Sequence, residues 1–184
     1  ESEALELTNC GHTMSTTREL LEYNRAFPAS QYAVAFVQYG LVDSWLTFRG
    51  APYVLYYPDF PLRKLARKLV KKLKKLARVW QLQKRLGAVE QVPLSEYVDN
   101  LHQVIVSAPK TRFILVATAP NLDEPRNPRI KVYNEALARI AESHDVYEDI
   151  WAHRDLPLME DGTHLTAAGH ERIAAKIISV LKQG

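Results

Sequence analysis

The stretch Arg112-Phe113-Ile114-Leu115-Val116-Ala117-Thr118 is an apolar run, rich in β-branched residues and followed shortly by Pro120. Continuous apolar runs of this length are typical of strands buried on both faces of a parallel sheet. A second run of the same kind spans 33–39, and the intervals 95–107 and 128–143 have helical apolar spacing. Strands that alternate with helices predict an α/β fold, in which helices cover both faces of a parallel sheet.

Two weaker strands and a final helix complete the predicted order of elements. Ala4–Leu7 and Asp145–Tyr147 are short strand candidates, and Thr166–Leu181 has an apolar helical face. Thr166 is the expected N-cap of that helix, because its hydroxyl can accept a hydrogen bond from an unpaired amide of the first turn. With 184 residues and 47% hydrophobic content, residues 1–184 are expected to form a single globular domain.

Cysteine content and apolar segments limit the chemistry and the compartment. The single cysteine, Cys10, excludes an intramolecular disulfide, and the chain offers no cysteine cluster for zinc. The first residues lack the basic and apolar regions of a signal peptide, and no apolar run is long enough to cross a bilayer. We therefore expect a soluble or peripheral protein, with the cytoplasm slightly favoured.

One segment accounts for the net positive charge of the chain. Eleven Lys or Arg residues and no acid lie within 60–89, so the remainder has thirteen basic and 21 acidic residues. The segment Leu62 to Lys84 forms the centre of a predicted helical insertion at about 50–88. Its apolar residues recur every three or four positions, which places them on one helical stripe; they are Leu62, Leu65, Leu69, Leu73, Leu76 and Trp80.

This amphipathic pattern has three interpretations. The leucines of Leu62 to Lys84 pack on the domain and the charges face water, or the helix lies on an anionic membrane surface. In the third, the helix binds an anionic polymer such as nucleic acid or acidic polysaccharide. Nothing else in the chain indicates nucleic-acid recognition, so nucleic acid is not expected as a partner.

The loop Asp161-Gly162-Thr163-His164, directly before the last helix, has the residue types of an acid–base site. An Asp beside a His can hold the imidazole Nδ1–H and stabilise the imidazolium that forms when Nε2 takes a proton from a nucleophile. The spacing alone is weak evidence, since an Asp and a His can also simply close a turn. Asp99 and His102 have the same spacing inside a predicted helix, where they are expected to be surface neighbours.

Three blocks together resemble the SGNH hydrolases, the GDSL-type lipase and esterase superfamily. Asp161–His164 resembles the last block of that family, Asn9–Thr17 resembles the second, and Gln38–Ser44 resembles the third. The resemblance implies a three-layer α/β/α sandwich with a parallel, flavodoxin-like sheet. It also implies a serine acyl-enzyme mechanism, with His164 as general base and then acid and Asp161 as its orienting partner. Such a mechanism needs no metal and no organic cofactor.

The resemblance extends to the oxyanion donors, where the sequence also departs from the family pattern. Backbone amides near Gly11 to Met14 are the implied donors, although the family has a glycine where this chain has Met14. The family's asparagine donor in the third block, Gly40 to Asp43, is replaced by Val42, which has no side-chain donor. Losing one such donor typically costs about 10²–10³ in rate. Asp43 is expected to hold the turn geometry by accepting backbone amides.

The family's first block, Gly-Asp-Ser, has no counterpart in the chain. Ser2 is too near the second block, because a parallel crossover needs a dozen or more residues. The resemblance places the missing strand between the strands beginning near Ala4 and Ala33, so an upstream segment is expected to carry the nucleophile.

The function expected from these blocks is that of a bacterial serine ester hydrolase or acyl-ester transferase. Its expected substrates are esters of lipids or acylated carbohydrates, small or polymeric. One alternative is a non-catalytic SGNH-like domain that binds an acylated or anionic polymeric ligand. Another is an α/β binding domain in which Asp161 and His164 are incidental.

Overall fold

The computed structural model describes residues 6–147 and 161–183. In chain order the helices are α1 (Thr17–Ala26), α2 (Pro61–Val79), α3 (Leu82–Leu86), α4 (Leu94–Ser107), α5 (Asn127–Leu137) and α6 (Ala167–Lys182). The strands are β1 (Val34–Val37), β2 (Leu46–Phe48), β3 (Ala88–Glu90), β4 (Arg112–Val116) and β5 (Ser143–His144).

A parallel sheet with the order β1-β4-β5 forms the centre of the fold. β1 pairs with β4 from Val34–Arg112 to Val37–Leu115, and β4 pairs with β5 from Leu115–Ser143 to Val116–His144. The central strand is the apolar run 112–116, which is half-buried at its first residue and buried at the other four. The predicted α/β class and parallel sheet are therefore confirmed.

Helices cover both faces of this sheet. On one face, Val37 of β1 and Leu115 of β4 pack with residues of α1, α4 and α5 such as Leu20, Tyr97 and Tyr133. On the other face, a smaller cluster joins the end of β4 to α6; its members are Val116, Val146, Tyr147 and Ile173, with Ile177 packed against it. Alternate side chains of a strand point to opposite faces, which explains why Leu115 and Val116 belong to different clusters.

β1 has a free edge opposite β4. No strand among the described residues pairs with that edge, and Phe36 at the centre of β1 leaves 37% of its surface exposed. A run of four apolar residues is typical of an interior strand rather than an edge strand. The open edge of β1 is thus a place where the sheet can accept another strand.

Two of the weaker predictions need correction. The strand expected at Asp145–Tyr147 lies instead at Ser143–His144, because Glu142 and His144 accept the amides of Leu115 and Ala117. The helix expected over 128–143 ends at Leu137, before β5 begins.

The predicted first strand and last helix have different outcomes. For Ala4–Leu7, Ala4 and Leu5 lie outside the described residues, while Glu6 and Leu7 are exposed and not in a strand. The last helix is confirmed with its N-cap, since Thr166 Oγ1 accepts the amide of Gly169 at 3.2 Å.

The insertion leaves and re-enters the domain through a second, antiparallel sheet. β2 and β3 pair from Leu46–Glu90 to Phe48–Ala88. The two strands flank α2 and α3 in sequence. The predicted helix from Leu62 to Lys84 is two helices, because Gln81 adopts the left-handed conformation with φ of 52°.

Of the three interpretations of the leucine stripe, the structure contradicts the one in which the stripe packs on the domain. Its six residues are exposed, with exposed fractions from 37% at Leu73 to 72% at Leu62. No helix within the described ranges is long and apolar enough to cross a membrane.

Candidate active site

A cleft of about 550 Å³ lies where the chain leaves β1 and β4. Four segments distant in sequence line it; they are 12–15 before α1, 38–42 after β1, 118–121 after β4, and 163–165 with the first turns of α6. Loops at the carboxyl ends of parallel strands are where α/β folds bind ligands. Of the residues predicted for the site, Met14, Gly40, Val42 and His164 line the cleft.

Asp161 and His164 form a hydrogen-bonded pair at the edge of this cleft. His164 Nδ1 lies 2.8 Å from Asp161 Oδ2, and Asp161 Oδ1 accepts the amides of Thr163 at 3.0 Å and His164 at 2.8 Å. The imidazole bond, then these two amides, lower the pKa of Asp161 to about 2. Asp161 is therefore ionised at neutral pH and holds the proton of His164 on Nδ1, which leaves the Nε2 lone pair available as a base.

The pair is open to solvent. The His164 side chain is 72% exposed and that of Asp161 is 57% exposed. No serine hydroxyl among the described residues forms a hydrogen bond with His164. Ser15 lines the cleft, but its Oγ is buried and has no hydrogen-bond partner within the described part of the chain.

The loop that carries the pair is fixed against the segment after β4. Gly162 has a φ of +80°, and a Cβ at this position would lie only 2.7 Å from Leu122 Cβ. Leu122 donates its amide to the Gly162 carbonyl at 2.8 Å, and Asn121 Nδ2 donates to Thr163 Oγ1 at 2.9 Å. No signal in the sequence marks Asn121 and Leu122, because their role depends on a contact between segments about forty residues apart.

Asp43 is buried behind the cleft and joins the second block to the third. Its Oδ1 accepts the Thr17 amide at 2.8 Å and the Thr17 hydroxyl at 2.7 Å, and its Oδ2 accepts the Gly40 amide at 3.2 Å. Burial raises the pKa of this carboxyl to about 6, and the hydrogen bonds from Thr17 partly oppose that increase. The carboxylate therefore holds the start of α1 against the turn after β1.

Gly40 occupies a position that only glycine fits. Its φ is +127°, and a Cβ there would lie 2.9 Å from Thr118 Oγ1. Thr118 is held in turn by Asn134, whose side chain accepts the Thr118 amide at 2.8 Å and donates to its carbonyl at 3.0 Å. The turn after β1 and the exit from β4 therefore pack directly together beneath the cleft.

The two candidate oxyanion donors differ in position. The Gly11 amide already donates to Asn9 Oδ1 at 2.8 Å, and Gly11 does not line the cleft. Met14 lines the cleft with a left-handed φ of 61°, and no described residue accepts its amide. Glycine adopts a left-handed φ without strain, which fits the glycine that the family resemblance implies at this position. Val42 lines the cleft with an aliphatic side chain only.

The cleft contains further polar side chains besides the predicted site residues. His12 and His170 line it, as do Gln38 and Tyr147, which are joined by a hydrogen bond of 2.5 Å. The described residues hold no group of three potential metal ligands.

Comparison with solved structures agrees with the fold described above. The chain has 16% identity and a TM-score of 0.58 to the acetylxylan esterase Axe2 from Geobacillus stearothermophilus, covering 90% of this chain and 67% of that one. A single-substitution variant of Axe2 gives a TM-score of 0.55 at 16% identity, over 88% and 65% of the two chains. The chain thus spans about two thirds of the length of these proteins.

At this identity the structural likeness establishes the fold. No curated protein sequence matches the chain significantly. A sequence model of the GDSL-like lipase/acylhydrolase family matches residues 2–172, which is most of the chain. The chain therefore belongs to the GDSL-like lipase/acylhydrolase family.

Proposed function

We propose that the protein is an SGNH-type serine ester hydrolase or acyl-ester transferase that acts on esters of lipids or acylated carbohydrates. Membership of an esterase family supports ester hydrolysis as the type of reaction. The observation that carries the proposal is the Asp161–His164 pair, whose Nδ1–Oδ2 bond of 2.8 Å leaves Nε2 as the basic nitrogen at the cleft.

The proposed reaction needs a serine beside His164. The serine Oγ attacks the ester carbonyl carbon while His164 Nε2 takes its proton, and the Met14 amide donates to the developing oxyanion. The imidazolium then gives that proton to the leaving alcohol, which leaves an acyl-serine. Water or an acceptor alcohol then attacks the acyl carbonyl while His164 Nε2 takes its proton, and the imidazolium returns that proton to the serine oxygen. Asp161 stabilises the imidazolium during both acylation and deacylation.

The nucleophile is proposed to lie on a strand that pairs with the open edge of β1. That edge lies directly before the turn 38–42, so a strand there would end at the cleft. Such a strand would also cover Phe36 and pair the backbone groups of Val34 to Val37. Ser15 does not fit the role in its present position, because its hydroxyl is buried.

The apolar lining supports an acyl group as the part of the substrate that the cleft accepts. Leu41, Val42, Leu165, Ile173 and Ile177 all line it, and ligand sites typically combine such walls with a few polar groups. Acetylated xylan is the substrate named for the similar structures, and an acylated carbohydrate is one of the two classes proposed for this protein.

The test is hydrolysis of p-nitrophenyl acetate and longer p-nitrophenyl esters by the full-length gene product. His164→Ala is expected to abolish turnover. The matched control is His102→Ala, because His102 has the same spacing from Asp99 but lies on α4, outside the cleft. Equal activity of His164→Ala and wild type would refute the proposal.

Covalent labelling identifies the nucleophile independently. A fluorophosphonate probe, which reacts with activated serines, is expected to label one serine of the full-length protein, and His164→Ala is expected to prevent labelling. Peptide mass analysis then identifies the residue. Labelling of Ser15 would contradict the proposal of an additional strand.

A non-catalytic binding role is the second candidate. The Val42 side chain has no donor for an oxyanion, and no described serine hydroxyl forms a hydrogen bond with His164. Binding of an acylated oligosaccharide without turnover or probe labelling would favour that role.

A further inference from the structure

α2 exposes the apolar face that a surface helix ordinarily buries. Its stripe of six large apolar residues, 62, 65, 69, 73, 76 and 80, faces away from the protein and is exposed at every position. Surface helices normally bury this face in the core. Exposed apolar patches of this extent mark an interaction surface.

A different face attaches α2 to the domain. Ala77 is 4% exposed, and Arg67 Nη1 donates to the carbonyl of Leu55 at 3.1 Å. Arg63 donates to the carbonyl of Tyr57 at 2.9 Å, and Lys74 Nζ donates to Gln91 at 2.6 Å. These polar contacts hold the helix with its leucines facing outward, so the exposed stripe is a consequence of the way the helix docks.

Basic residues border the exposed stripe on its solvent side. At about 100° per residue, the stripe covers an arc of about 80°. The neighbouring arc carries exposed cations that form no ion pair with any described residue; they are Lys68, Lys71, Lys72, Lys75 and Arg78. The segment 60–89 holds eleven Lys or Arg residues and no acid.

We propose that α2 binds the surface of an anionic lipid membrane. The leucine stripe would lie at the boundary between headgroups and acyl chains, and the lysines would contact lipid phosphates. A nucleic acid or acidic polysaccharide would neutralise the lysines but leave the leucines in water. A second α2 packed on the stripe would bring together two helices that each carry nine Lys or Arg residues and no acid. An anionic lipid surface is complementary to both features.

The insertion is joined to the loop that holds Met14, which would place the cleft close to the membrane. Buried Glu19, on the first turn of α1, accepts the Tyr53 hydroxyl and the Tyr56 amide, each at 2.7 Å. His12, which lines the cleft, has its ring centroid 5.5 Å from that of Tyr57. The contacts of α2 with 55–57 therefore continue through Glu19 and His12 to the cleft.

The experiment is flotation of the full-length protein with lipid vesicles. Phosphatidylcholine vesicles with about 30% phosphatidylglycerol are compared with pure phosphatidylcholine vesicles, at low salt and at about 0.5 M salt. The wild type is expected to float with the anionic vesicles and to be released by salt.

Two sets of substitutions test the two parts of the surface. Leu65→Ser with Leu69→Ser is expected to weaken vesicle binding by at least about tenfold, and Lys68→Gln with Lys72→Gln to weaken it by a similar factor. The matched control is Ile178→Ser with Val106→Ser, because both residues are exposed apolar positions on other helices. All these side chains are exposed, so thermal melts are expected to match the wild type.

Trp80 provides a direct signal at the end of the stripe. It is 54% exposed, and its fluorescence is expected to shift to the blue on addition of the anionic vesicles. Trp80→Phe should lose that shift while the other tryptophans report any general change.

Several results would overturn the proposal. One is no flotation with anionic vesicles. Another is binding that depends on the lysines but not on the leucines, with equal affinity for dextran sulfate, which would indicate a polymer site. A dimer in sedimentation that the leucine substitutions abolish, without vesicle binding, would indicate a second copy instead. Flotation does not depend on turnover, so its failure is distinct from a failure of the esterase assay.

Discussion

Replacing Gly162 by alanine should displace the loop that carries Asp161 and His164. The substitution adds a Cβ at a φ of +80°, which costs about 1–2 kcal/mol for a residue other than glycine. That Cβ would also lie 2.7 Å from Leu122 Cβ, an atom that no side-chain rotation can move away. Forced contacts of this kind typically add about 1–3 kcal/mol. The expected total is about 2–5 kcal/mol, or the equivalent displacement of the loop.

Gly50→Ala is the matched control for this substitution. Gly50 has nearly the same φ, +82°, but no atom lies within 4 Å of its Cβ position. Gly50→Ala should therefore lower the free energy of unfolding only by the backbone contribution, about 1–2 kcal/mol. The difference between the two variants isolates the contact with Leu122.

The assays are chemical denaturation and ester hydrolysis. Because a displacement of about 1 Å at a catalytic group can cost about 10²-fold in rate, Gly162→Ala should lose activity and Gly50→Ala should keep it. Adding Leu122→Gly should partly restore Gly162→Ala, whereas Leu122→Ala should not, since it retains the Cβ. Equal stability and activity of the two glycine variants would refute the reasoning.

Three further predictions concern single residues. Met14→Gly should raise the free energy of unfolding by about 1 kcal/mol in denaturant titration, because it relieves a left-handed φ of 61°; Met14→Ala should give no such gain. Asp161→Asn should lower kcat for p-nitrophenyl esters by about 10³–10⁴-fold, since it no longer fixes the His164 tautomer, and Asp99→Asn should leave kcat unchanged. The pKa of Asp43 is raised from 3.8 to about 6 in the folded protein. Between these two pH values the folded state therefore binds a proton that the unfolded state has lost. The contribution of Asp43 to the free energy of unfolding falls as pH rises through that range. The free energy of unfolding of the wild type, measured relative to Asp43→Asn, should therefore decrease from pH 4 to pH 6, and a relative increase would contradict the buried carboxyl described here.

The interior strands and the last helix could be predicted because their own residues determine them. The run 112–116 is apolar on both faces and pairs on both edges, and Thr166 caps α6 through its own side chain. β5 was harder to predict, because this two-residue strand is defined by hydrogen bonds from the amides of Leu115 and Ala117 rather than by its own pattern.

The orientation of α2 could not be predicted from periodicity. The spacing of its leucines identifies a stripe but does not say whether that stripe faces the core or the solvent. The choice depends on Arg63 and Arg67, whose guanidinium groups donate to carbonyls of 55–58. Those carbonyls belong to an irregular segment, so no sequence pattern marks them as partners.

The site also differs in how far its parts were predictable. The Asp161–His164 bond follows from local spacing. The loops around the cleft, by contrast, are held by distant residues that do not line it. Leu122 supports the last loop, Asn134 supports the exit from β4, and Asp43 supports both the turn after β1 and the start of α1. Each of these contacts is already made by the described residues, without a nucleophile. A strand that pairs with β1 would therefore meet a cleft in which the proposed base, His164, and the proposed donor, the Met14 amide, are already in position. The difference between an esterase and a binding protein on this scaffold then depends on whether that strand presents a serine hydroxyl to His164 Nε2.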